Sequence, residues 1–213
     1  MRKKRKILLF LSGCLSLLLI ASTFAFWTGK INHTNELKAD KINAKIEETF
    51  EPSEPVGTVQ KEVAFKNDSS NASFLRISYA ETWEKTEGDN KTLLNNQLNG
   101  KDVAAKNWIN GFGQADGNWT DGGDGWYYYN KVLKPGAATE NILERVTFPE
   151  YSGEYKEYEG ADYQLYFRME LLQASDSQST LNSVEVNQNA SQTVFGKEAT
   201  VDGENVNWKS GGA

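Results

Sequence analysis

The densest potential chemistry in this 213-residue chain lies between Asp116 and Asp124. Asp116, Asn118, Asp121 and Asp124 sit in the stretch Asp-Gly-Asn-Trp-Thr-Asp-Gly-Gly-Asp-Gly, three carboxylates and an amide on a glycine-rich backbone. Calcium takes oxygen ligands from loops of this kind. The spacing departs from the EF-hand pattern, however, and no glutamate closes it. The same residues also read as a tight polar hairpin ahead of the aromatic run that begins at Trp126. Other reactive side chains are scarce. The chain has one histidine, His33, and one cysteine, Cys14. A His-Glu-x-x-His pair is missing, so a zinc protease of that type has no ligand set. His33 lies in polar sequence near the N-terminus, a poor place for the base of a Ser/His/Asp triad. Gly111-Phe112-Gly113 lacks the strand-to-helix setting of a nucleotide loop. No carboxylate pair is flanked by apolar residues that would raise one pKa for acid-base work. The expectation is a protein that is not an enzyme, with no cofactor beyond calcium as a candidate.

The N-terminus speaks to compartment. Arg2 to Lys6 are all basic, Ile7 to Ile20 is an apolar run, and Ala21-Ser22-Thr23-Phe24-Ala25 ends in small residues. A basic start, a short apolar stretch and a small-residue exit make a secretory signal peptide, here residues 1–25 with cleavage after Ala25. Ile7 to Ala21, broken by Ser12, Gly13 and Ser16, is shorter than the roughly 20 residues of a spanning helix. A retained membrane anchor and a lipoprotein cut before Cys14 are the alternatives. Removing residues 1–25 leaves 18 Lys and Arg against 29 Asp and Glu, a net charge of −11. Such a chain is repelled by nucleic-acid phosphates and anionic lipid heads, so the membrane matters only to the precursor. The secreted chain has no cysteine and must rely on a packed core, which its length allows.

The elements that would position any site are mostly strands. Ile42, Ala44 and Ile46 alternate with polar residues, as do Val59, Lys61, Val63 and Phe65. Phe74 to Tyr79, Trp126 to Tyr129, Ile142 to Phe148 and the alternating Tyr163, Leu165, Phe167, Met169 and Leu171 add four more. Val184 and Val186 mark a weaker one. Leu94, Leu98, Lys101, Ala105 and Ile109 recur at helical spacing, predicting a helical insertion near 93–109. Ser175 to Ala190 reads as loop. The pattern predicts an all-β domain, a jelly-roll or Ig-like β-sandwich with a short helical insertion, over residues 37–213. Alternation places Trp126 with Tyr128, and Phe167 with Met169, as core residues.

Several pieces resemble one family. Phe24-Ala25-Phe26-Trp27 resembles the signal segment cut by the SipW-type signal peptidase. Gly57 to Phe65, Asn67 and Arg76-Ile77-Ser78 are similar to the core of the TasA/camelysin group. The run Asp124 to Gly136, with its Trp-Tyr-Tyr-Tyr and Lys-Pro-Gly, closely resembles a signature of BsaA-type biofilm-matrix proteins in that group, as does Glu170 to Ala174. The resemblance implies a secreted β-sandwich, in the matrix or at the surface of a Gram-positive cell, whose copies self-associate into biofilm-matrix fibres. A mechanism follows from sheet edges: an unpaired edge is a template for an extended segment of another copy. Residues 26–36 are the candidate donor segment, with Phe26, Trp27 and Ile31 as anchors. Two rivals are a surface module for calcium or glycans, using Trp119, Trp126 and Tyr127, and a camelysin-like secreted metalloprotease, for which the histidine ligands are missing.

Overall fold

A computed structural model describes residues 44–50, 55–175 and 181–210. Strands β1 (Ala44–Phe50), β2 (Thr58–Asn67) and β3 (Ser73–Glu87) come first. A run of short strands follows: β4 (Asn90–Leu94), β5 (Gln97–Leu98), β6 (Lys101–Asp102), β7 (Ala105–Trp108), β8 (Trp119–Asp121) and β9 (Tyr127–Tyr129). Then come β10 (Leu143–Thr147), a 3-10 turn at Gly153–Tyr158, and the long β11 (Asp162–Gln173). Helix α1 (Leu181–Phe195) and the hairpin of β12 (Lys197–Asp202) and β13 (Asn205–Ser210) close the chain.

One sheet has the order β1-β2-β10-β7 and the other β11-β3-β9-β8, with β4 extending the far end of β3. Every pairing is antiparallel. The two sheets form the predicted all-β sandwich. Alternation along β2 and β3 turns Val63, Phe65, Leu75, Ile77 and Trp83 inward, where Trp119, Tyr129, Leu143 and Val146 meet them. Fully burying each such side chain contributes about 1.5–3 kcal/mol. The indole N–H groups of Trp83 and Trp119 find no conventional acceptor among the described residues. Each ring lies instead nearly edge-on to a neighbour: Trp83 to Phe148 at 85°, Trp119 to Phe112 at 70°.

A second cluster lies on the outer face of the β3 sheet. Phe74 and Tyr128 point there and are covered by Phe195 of α1 and by Ala199 and Val206 of the hairpin. Tyr128 is therefore fully buried, as expected, and Trp126 is half-buried beside it. Phe167 and Met169 differ from expectation. They face the inner cluster but remain half-buried, because β11 is the last strand of its sheet.

Two segments depart from the sequence-based assignment. The stretch 93–109 is not a helix. Asn99 and Gly100 both have positive φ, 52° and 74°, and close the two-residue β5–β6 hairpin. Asn-Gly is the pair that such turns favour. Val103 and Ala104 are buried, whereas Lys101 and Ala105, both on the supposed helical face, are exposed. The helix lies instead at 181–195, within and beyond the stretch assigned to loop. Its inward positions are Ser183, Asn187, Ser191 and Phe195 at intervals of four, mostly polar, so hydrophobic periodicity could not reveal it. Asn187 clamps the Ser175 backbone N–H and C=O, and the Ser191 hydroxyl accepts from the Ala199 N–H. Val184 and Val186, the supposed weak strand, are exposed on this helix. The β12–β13 hairpin has no counterpart in the sequence reading.

Candidate functional site

The two sides of the sandwich are finished differently. On one side the edge strands are short, with four residues in β7 and three in β8. Brief edges of this kind resist pairing with other chains. On the other side β11 runs for 12 residues, pairs with β3 along one edge, and has no strand on its other edge among the described residues. β1, the last strand of the facing sheet, approaches it there.

A groove of about 420 Å³ opens beside the first half of β11. Val59 and Lys61 of β2 form one wall with Val146 and Phe148, and Pro55 lies at its rim. The other wall is Tyr163, Gln164, Leu165, Tyr166 and Phe167. Consecutive strand residues point to opposite faces. A groove that meets all five must therefore touch the edge of β11 itself, where backbone N–H and C=O groups lie. Tyr166 and Val56 are large apolar side chains left more than half exposed nearby.

A buried ionic cluster stands behind this groove. The Tyr163 hydroxyl donates to Glu81 Oε2 at 2.7 Å. Lys106 of the facing sheet reaches across, its Nζ 2.9 and 2.8 Å from the two Glu81 oxygens. The same Nζ also meets Asp102 Oδ2 at 2.9 Å and donates to the Ala104 carbonyl at 3.0 Å. An ammonium has three protons to donate, and three groups receive them. The Lys106 side chain is 2% exposed and that of Glu81 is 11%. Burial, followed by the charge and hydrogen bond of Glu81, pushes the Tyr163 phenol far above its ordinary pKa, so it stays a donor.

The acidic loop is a hairpin. β8 and β9 pair antiparallel, Asp121 opposite Tyr127, and the glycine-rich residues turn between them. Asp121 accepts from the Gly123 N–H, and Asp124 accepts from the Trp126 N–H and the Tyr128 hydroxyl. Asn118 donates to Glu140 and Asp116 is exposed. Asn118, Asp121 and Asp124 are thus engaged in separate contacts, and Asp116 faces solvent. No group of three or more His, Cys, Asp or Glu among the described residues is placed to hold a metal ion. Of the aromatics proposed for glycans, Trp119 is buried. Trp126 has the Arg76 guanidinium at 4.2 Å and the Arg168 guanidinium at 5.1 Å from its ring centre.

No family model, curated protein or solved structure matches this chain. Cleavage residue Ala25 and donor residues Phe26, Trp27 and Ile31 lie outside the described residues. Sequence reasoning missed Glu81 and Lys106. The signal that could have found Glu81 is its position in β3: Leu75, Ile77, Tyr79 and Trp83 all face inward, so the carboxylate between the last two must too.

The acidic groups carry a pH signature. For Asp102, burial raises the pKa, but hydrogen bonds from Lys106 and Gln97 and the Lys106 charge outweigh it and leave the pKa lowered. For Asp124, burial likewise raises it, and hydrogen bonds from Tyr128 and the Trp126 N–H leave it lowered. A carboxyl lowered on folding stabilises the native state above its ordinary value, here 3.8, and that contribution is lost as pH falls through the lower folded value. Thermal melts should be level from pH 7 to about 5 and decline below about 4. A midpoint that rises on acidification through that window would contradict these contacts.

Proposed function

We propose that this chain is a secreted structural subunit of extracellular biofilm-matrix fibres, and that subunits join by strand exchange. The observation that carries the reading is the 12-residue edge of β11, which has no partner strand among the described residues, with a groove of mixed apolar and polar lining beside its first half. An extended segment laid there gains ladder hydrogen bonds from the edge and side-chain pockets from the groove. Residues 26–35, Phe-Trp-Thr-Gly-Lys-Ile-Asn-His-Thr-Asn, supply a segment with three large apolar anchors, Phe26, Trp27 and Ile31. The reading also agrees with the resemblance to TasA-type matrix proteins, with a signal segment suited to a SipW-type peptidase, and with the scarcity of catalytic side chains.

Geometry favours a linear assembly. The groove lies at the end of the sandwich that carries Val59, Lys61 and Phe148. β1, into which the N-terminal segment runs, starts at Ala44 opposite Asn67. Asn67 is six residues along β2 from Lys61, about 20 Å at strand rise. The start of β1 and the groove thus lie at opposite ends of the domain. Such a contact is heterologous, head to tail, and continues into a filament unless a rotation closes it.

Electron microscopy of the purified secreted protein tests this directly. Unbranched fibres are expected, and a protein that stays monomeric at all concentrations and conditions tried would refute it. Intact mass of the secreted chain should correspond to a start at Phe26. A mass that includes residues 1–25, or a lipid on Cys14, would show that the donor segment is never released.

A further inference from the structure

The groove is useful to a partner strand only if it is empty when that strand arrives. It measures about 420 Å³, has a mixed apolar and polar lining, and carries an aromatic ring in one wall. Tyr163 packs on Trp83 and Phe148, with ring centres 4.9 and 5.2 Å away. Phe148 also lines the groove. A ring in this position, left untethered, borders an open space large enough to rotate into. What fixes it is the 2.7 Å hydrogen bond from its hydroxyl to Glu81. Glu81 in turn cannot follow the ring, because Lys106 grips both of its oxygens from the opposite sheet.

Building on the fibre reading above, we infer that Glu81 is a positioning residue for assembly: it holds the Tyr163 ring in the groove wall and keeps the groove open for the incoming strand. A site that fills itself part of the time binds with an affinity reduced by the fraction that remains open. Lys106 serves the same end one step back. Its ammonium holds both Glu81 oxygens, and its place in β7 ties the groove wall to both sheets.

The test is the critical concentration for fibre formation by the full secreted chain, measured by sedimentation beside a thermal melt of each variant. Tyr163→Phe keeps the ring and removes the tether. Its critical concentration should rise about tenfold, the scale of one lost hydrogen bond. Glu81→Ala should raise it at least as much. Glu81→Gln, whose amide oxygen still accepts from the Tyr163 hydroxyl, should return it most of the way towards the wild-type value. A purely structural role behaves otherwise. It lowers the melting midpoint yet leaves the critical concentration unchanged, since nearly every molecule is still folded at the assay temperature. Wild-type fibres with an unaltered critical concentration in Tyr163→Phe would overturn the inference and leave the fibre reading intact. So would a Glu81→Gln protein that assembles no better than Glu81→Ala. A wild-type chain that forms no fibres would overturn both.

Discussion

Deletion of residues 26–35 is expected to abolish fibres and leave a folded monomer. Among the described residues the inner cluster draws on Ile46, Val59 and residues from Val63 onwards. If the segment is donated to a neighbour, its loss removes the link and leaves an empty groove at β11. If it is instead the chain's own strand, its loss uncovers core and the domain melts. Size-exclusion chromatography, circular dichroism and negative-stain microscopy separate these outcomes. A compact monomer with a native β spectrum and no fibres is the expected result. Fibres that persist, or complete unfolding, would each rule out donation of this segment. In the full chain Trp27→Ala should weaken assembly more than Thr28→Ala, because a large aromatic anchor carries a disproportionate share of such contacts.

The second large effect concerns stability. Lys106→Met should destabilise the domain by about 3–5 kcal/mol, the cost of stranding the partner of a buried ion pair. The reason is local. Glu81 is almost entirely out of water, and the ammonium is the charge that compensates it. Methionine fills the space of the lysine stem and donates to nothing. The double variant Lys106→Met with Glu81→Gln should recover a substantial part of the loss, since the only carboxylate then left without its cation is Asp102, which is 37% exposed to water. Chemical denaturation of the two single variants and the double variant closes the cycle. A Lys106→Met protein as stable as wild type would mean that Glu81 finds another partner or that water reaches it.

Most strands were legible in the sequence, for a simple reason. A half-buried strand advertises itself by alternation, which β11 shows over its first half and β2 over its start, while a bulge between Leu143 and Arg145 interrupts it in β10. Elsewhere hydrophobicity and burial parted company. Helix α1 turns serine and asparagine inward and valine outward, so its pattern is inverted. Its buried polar groups are satisfied by backbone at Ser175 and Ala199, contacts that exist only after the chain has folded. In the 93–109 stretch the four-residue spacing of Leu94 and Leu98 arises from two strands of separate hairpins that both pack on the inner cluster. The Asn99-Gly100 pair was the better guide. The groove and the cluster behind it were invisible for a different reason. Tyr163 and Glu81 stand 82 residues apart, and Lys106 is 25 residues from Glu81. No local window contains them. The acidic loop takes the form of the tight polar hairpin that its glycines also suggested, with Asp121 and Asp124 accepting from nearby N–H and O–H groups.

The placement of the start of β1 and of the groove at opposite ends of the domain bears on how a filament would carry force. In subunits linked as proposed, tension enters each domain through the start of β1 at Ala44 and leaves through the edge of β11 near Tyr163. The pull then runs along the strands. Hydrogen bonds between a donated segment and β11 would be loaded side by side, all at once, rather than opened one after another from an end. A cable of this kind resists stretching far better than it resists peeling. It could yield to a sideways tug while holding firm along its length.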